Sequence, residues 1–154
     1  MSGNELAPEL YDLLSGTGLE GKQGEAMMLL TVSEDGWPHA AMISVGEIVA
    51  LSGGQLRIGL WPGTTTSGNI RRTGKATLAV IYQGKAHYAR LHLQPLEKLQ
   101  DSKYPRDRYS AGVIAARQDV AKYADIVSGI RISLKEPDEV LARWKDTVCE
   151  LLRD

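Results

Sequence analysis

Hydrophobic positions along this 154-residue chain fall into short runs, and their spacing predicts a sequence of strands with few helices. Leucines at 6, 10, 13 and 14 have helical spacing and predict a helix over residues 5–14, with Pro8 tolerable in its first turn. Residues 19–25 read as a loop. Residues 26–33 form a continuous apolar run, followed by Glu34-Asp35-Gly36 and a second run over 37–45. Asp-Gly between two such runs is a hairpin signal. Pro38 suits the first residue of a strand. A third run, Ile48 to Leu51, and a fourth, Gln55 to Trp61, are joined by a turn at 52–55.

Residues 64–73 predict a short helix stopped by Gly74, because glycine is favoured just past a helix end. Lys75 to Tyr82 is rich in strand formers, and Gln83-Gly84 turns the chain. From Ala86 to Leu99 the pattern alternates. His87, Ala89, Leu91 and Leu93 share one face; Tyr88, Arg90, His92 and Gln94 share the other. After a polar loop at 103–107, the stripe Val113, Ile114, Ala116, Val120, Ala121 and Ala124 predicts a helix over 108–124. Residues 129–134 alternate and predict a strand. Pro137 opens a last helix over 138–152, whose stripe of Val140, Leu141, Trp144, Val148, Leu151 and Leu152 must cover the barrel or a partner. Six or seven strands joined by short turns predict a mainly β protein: an antiparallel split β-barrel with a short internal helix and peripheral helices, one domain over 1–154.

Composition narrows the function classes. Charges nearly cancel, with 18 Lys plus Arg against 19 Asp plus Glu, which argues against bulk attraction to nucleic acid or anionic membrane. The lone Cys149 excludes an intrachain disulfide and a cysteine-based zinc site, and its place on an amphipathic helix predicts a half-buried side chain. Neither a signal-peptide pattern nor an apolar run of about 20 residues is present, so a cytoplasmic location is expected. His39, His87 and His92 lack paired metal-ligand spacing, and no metal site is expected.

The stretch Leu60 to Ile70, Leu-Trp-Pro-Gly-Thr-Thr-Thr-Ser-Gly-Asn-Ile, concentrates the candidate chemistry. An apolar strand runs into Pro62-Gly63 and then into Thr64, Thr65, Thr66 and Ser67 at a helix start. Free N–H groups and hydroxyls there can hold a phosphate, and a threonine can instead cap the helix. Both can hold at once. Asn69 can bond a cofactor or fix the turn. Arg72 can supply charge, since guanidinium matches phosphate geometry. No carboxylate pair, nucleophile elbow, Walker or Rossmann pattern appears, and no residue is nominated as catalytic.

The order of these pieces resembles the FMN-binding split-barrel superfamily, the pyridoxamine 5′-phosphate oxidase-like proteins. Three stretches carry the likeness: Met28-Leu-Leu-Thr-Val-Ser-Glu-Asp-Gly-Trp-Pro-His, then Leu56-Arg-Ile-Gly-Leu-Trp-Pro-Gly-Thr-Thr-Thr-Ser-Gly-Asn-Ile, then Gly74-Lys-Ala-Thr-Leu-Ala-Val-Ile. The resemblance implies an FMN phosphate at Thr64, Thr65, Thr66 and Ser67. It places Met42 and Ser44 on the strand beside the flavin and Tyr88 on the strand bordering the site. Relatives often carry Arg or Lys inside the phosphate turn where this chain has threonine, so charge is expected from Arg72 or another segment. It further implies a homodimer with cofactor at the interface, and an FMN-dependent oxidoreductase acting on a small molecule. Similar barrels also serve as non-catalytic carriers or stress-linked sensors, and some hold a deazaflavin or haem.

Overall fold

In the computed structural model, which describes residues 2–154, thirteen elements follow one another: β1 (Ser2–Gly3), α1 (Pro8–Leu13), α2 (Leu19–Lys22), β2 (Glu25–Val32), β3 (Pro38–Ser44), β4 (Ile48–Ala50), β5 (Gln55–Leu60), α3 (Thr65–Thr73), β6 (Lys75–Tyr82), β7 (Lys85–Pro95), β8 (Asp107–Asp119), β9 (Ile130–Arg131) and α4 (Pro137–Leu151). Seven strands form the antiparallel path β3-β2-β6-β7-β8-β5-β4, which curls into a half-barrel. The short β1 adds to β8, and β9 to β2. The Asp-Gly hairpin forms between β2 and β3, with Ala26 opposite Ser44 and Val32 opposite Pro38.

Strand faces follow the period of two. On β2, Met27, Leu29 and Thr31 are buried, while Met28 and Leu30 are half-buried and Val32 is exposed. On β7, His87, Ala89, Leu91 and Leu93 turn inward; Arg90, His92 and Gln94 turn out. The inner faces meet in one core with Ile58, Leu56, Leu78 and Tyr109, each with no or almost no exposed surface. That burial removes the inward rows from water, worth about 1.5–3 kcal/mol for each large apolar side chain.

The helix expected over 108–124 is instead the strand β8, a correction with a clear cause. Tyr109, Ala111 and Val113 are buried at a spacing of two. Then Arg90 pairs with Ala115 and Leu91 with Val113, so Ile114 is an extra residue in a bulge. The bulge makes the next inward step, Val113 to Ala116, three residues long, which imitates helical spacing in the sequence. Local helix propensity differs by at most about 0.7 kcal/mol per ordinary residue. Pairing on both sides, with β7 and β5, and burial of Tyr109 outweigh it.

Smaller differences have similar origins. The first helix is shorter than 5–14 and begins at Pro8, and part of the expected loop at 19–25 is the single turn α2. Of the strand expected over 129–134, only Ile130 and Arg131 pair, with Ala26 and Glu25. α4 lies against the barrel through Leu141, Trp144, Val148 and Leu151. Cys149 lies on the solvent side of α4 and is exposed rather than half-buried. At the end of α4, Arg57 donates to the Leu151 and Arg153 carbonyls at 2.9 and 2.8 Å, where a helix leaves acceptors unpaired.

Candidate functional site

The turn that precedes α3 divides its hydroxyl residues between two tasks. Thr64 is extended, and its Oγ1 accepts the Ser67 N–H at 3.1 Å, so Thr64 is the helix N-cap. The Gly68 N–H reaches the Thr64 carbonyl at 3.0 Å. The Thr65 and Thr66 N–H groups are left without a partner among the described residues. They point along the helix start, where the macrodipole leaves about half a positive charge. Thr65 is exposed, and Thr66 is buried at the same end.

Ser67 turns the other way. Its hydroxyl donates to Asp107 Oδ2 at 2.6 Å and lies 2.5 Å from the Tyr109 hydroxyl, which also reaches the Ser67 carbonyl at 3.2 Å. All three residues are buried. Arg71 reaches the far side of Asp107 at 3.4 Å. Asn69 donates to Thr31 Oγ1 at 3.0 Å and to Ser33 Oγ at 3.4 Å. Arg72 donates to Asn69 Oδ1 at 3.2 Å and to the Val32 carbonyl. Ser67, Asn69 and Arg72 thus fasten α3 to β8 and β2. The open part of the turn is Thr65 with the two free N–H groups.

Met42 and Tyr88 lie on the outward face of the sheet, in one row but with two strands between them. Pairing places Met42, Met28, Ala79, Tyr88 and Arg117 in one row across five strands. The neighbouring row is Ala40, Leu30, Thr77, Arg90 and Ala115. The Arg117 guanidinium lies over the Tyr88 ring, 4.4 Å from its centroid. Beside these rows is a cleft of about 400 Å³ lined by Leu30, Val32, Thr77, Ile114, Lys75 and Arg90. Neither Lys75 nor Arg90 makes an ion pair among the described residues. Lys75 and Arg90 were not nominated from the sequence; their only signal is position on the outward face.

Ser44 sits further along β3, apart from the α3 turn. Its hydroxyl and N–H both donate to Glu47 Oε1, at 2.9 and 3.1 Å. Burial pushes the Glu47 carboxyl above its ordinary range; the Ser44 hydrogen bonds, with Arg106 and Arg143 nearby, pull it partly back. Glu47, Ser44 and Met42 border a second, open cleft, of about 430 Å³, flanked by residues 132–135 and by α4. Glu47 escaped the sequence reading, although its three-residue spacing from Ser44 is the signal of a side-chain-closed turn. His87 is buried with its Nε2 4.0 Å from Glu9, and burial lowers its pKa, favouring the neutral imidazole. No cluster of three or more metal-ligating side chains occurs among the described residues. Among the described residues, no helix is long and apolar enough to cross a membrane.

No family model matches the chain. Over 150 residues it is 53% identical to the uncharacterized protein YclD of Bacillus subtilis (strain 168), a match covering 97% of each chain. Solved structures resemble it at low identity. A candidate pyridoxamine 5′-phosphate oxidase from Lactobacillus delbrueckii superposes with a TM-score of 0.60 at 17% identity, over 75% of this chain and 95% of the other. One from Listeria innocua gives 0.53 at 14%, over 73% and 97%. HupZ of group A Streptococcus gives 0.55 at 13%, over 83% and 99%. These likenesses are of fold: the curled antiparallel sheet of the pyridoxamine 5′-phosphate oxidase-like split barrels.

Proposed function

We propose that this chain, which belongs to the family of the Bacillus subtilis protein YclD and has the pyridoxamine 5′-phosphate oxidase-like split-barrel fold, binds FMN. The observation that carries the reading is the open start of α3, with two unpartnered N–H groups beside the exposed Thr65. That donor set fits a phosphate: N–H groups and a hydroxyl converge at the positive end of a helix dipole.

The flavin would supply hydride or electron transfer toward a small-molecule substrate. The chain's own residues would bind and orient it. Met42, Met28 and Ala79 give an apolar bed for a flat ring, and Tyr88 is held in place by Arg117. The same outward face, with Met42 and Ile114 exposed at 56% and 57%, is uncovered in one protomer and would be shared with a second in a homodimer.

Two measurements test this. The purified protein should absorb near ~450 nm, alone or after adding FMN. A colourless protein that ignores FMN would overturn the cofactor. Thr65→Pro tests the phosphate. Proline is well tolerated at the first helical position, and the extended Thr64 suits a residue before proline. The variant deletes one free N–H together with the Thr65 hydroxyl, at little cost to the helix. It should weaken FMN by about tenfold or more and leave riboflavin almost unchanged, as the loss of phosphate hydrogen bonds predicts. Equal loss for both ligands would place the phosphate elsewhere.

A further inference from the structure

The cleft between the β3–β4 turn and α4 shares Met42 with the flavin reading, and the rest of its chemistry is not used there. Its floor is the turn itself, Ser44 to Glu47, closed by the Ser44 hydrogen bonds to Glu47 Oε1. Its far wall is Trp144, which lies so close to Gly46 that a Cβ there would sit 2.0 Å from the indole. Val140, Leu134, Ile132 and Met42 complete an apolar lining. Two cations open into it, Arg143 from α4 and Lys135 from the segment that leads to α4. Neither makes an ion pair among the described residues. Arg143 is only half exposed, so its guanidinium is less screened than that of a free surface arginine.

We propose that this cleft binds a small organic monoanion with an apolar body, a monocarboxylate, whose charge is met by Arg143 and Lys135 and whose body lies between Met42, Val140 and Trp144. Among the described residues the lining carries two cations without an ion pair and one carboxylate, Glu47, whose charge Arg106 also meets, so the cleft favours an anion. Guanidinium matches a carboxylate with two parallel N–H donors, which ammonium does not, so Arg143 is the principal contact. A volume of about 430 Å³ suits a small ligand. The proposal does not rest on flavin binding. The cleft adjoins the outward face at Met42, so an anion held here would lie beside a cofactor on that face.

Calorimetric titration of the full-length protein with benzoate, and with its neutral isostere benzamide, tests it, first without flavin and then with saturating FMN. Benzoate should bind in both series, with benzamide at least about tenfold weaker. Arg143→Gln should reduce benzoate affinity by about tenfold, and Lys135→Gln by a smaller factor, with the melting temperature of each variant unchanged. Equal binding of benzoate and benzamide, no benzoate binding at millimolar concentration, or wild-type affinity in Arg143→Gln would overturn the proposal. Benzoate binding without any uptake of FMN would refute the flavin reading alone. FMN uptake without benzoate binding would refute this site alone.

Discussion

Glu47 brings a titratable group to a place that water only partly reaches, and its cost depends on pH. The folded carboxyl has a pKa above the ordinary 4.5, with burial as the main cause. The folded state therefore holds its proton to higher pH than the unfolded chain. The stability that this contributes is complete below the ordinary carboxylate range and is lost as pH rises through the raised folded value. Glu47→Gln carries no such penalty. Relative to wild type, its urea midpoint should rise from about pH 4.5 upward and level off once the folded wild-type group has ionised. A midpoint difference independent of pH would show that the carboxyl titrates normally. At the same scale, the turn before α3 shows how neighbouring hydroxyls part company. Thr64 caps, Ser67 bonds Asp107, and Thr65 faces out. Local spacing marks where the helix starts, but not which hydroxyl meets Asp107 on the inner side.

Among the elements, α4 is fixed by one close contact. Trp144 packs on Gly46 at a distance that admits no side chain, whereas the backbone of Gly46 is otherwise unremarkable. Gly46→Ala should destabilise by about 1–3 kcal/mol through overpacking. Trp144→Ala should cost about 3–5 kcal/mol through the cavity it leaves. In the double variant the added methyl would occupy vacated space, so the sum should fall short of additive by 1 kcal/mol or more, on the order expected for contacting residues. Additive losses in chemical denaturation would show that α4 docks elsewhere. The strand β8 carries the opposite lesson. Its alanines and its bulge at Ile114 imitate a helix, and only pairing with β5 and β7 resolves the ambiguity.

For the whole molecule, the outward sheet face sets the expected assembly. Ile114 stands out at the β8 bulge, beside Leu30, Val32 and Thr77. In an isolated protomer its replacement by lysine would change stability by no more than about 0.5 kcal/mol. In a homodimer that uses this face, it would bury a charge. Sedimentation velocity should therefore find a wild-type dimer and an Ile114→Lys monomer with unchanged circular dichroism. A wild-type monomer, or a dimer that survives the substitution, would remove this face from the interface.

The sequence by itself determined most of the strands, the Asp35-Gly36 hairpin, the inward and outward rows of β7, and the start and stop of α3 at Thr64 and Gly74. Each of these is written in local terms: a period of two, a turn dipeptide, a cap. What the tertiary structure decided depends on partners distant in the chain. β8 became a strand because two other strands claimed its backbone. Ser67 and Arg72 became fastenings because Asp107 and Val32 lie within reach. Met42 and Tyr88 fell into one row on one face through the registers of β2 and β6. Glu47 and Arg143, 96 positions apart, share a cleft because α4 folds back onto the β3–β4 turn. Periodicity reports the environment each residue prefers; only the closed fold reports which residues supply it.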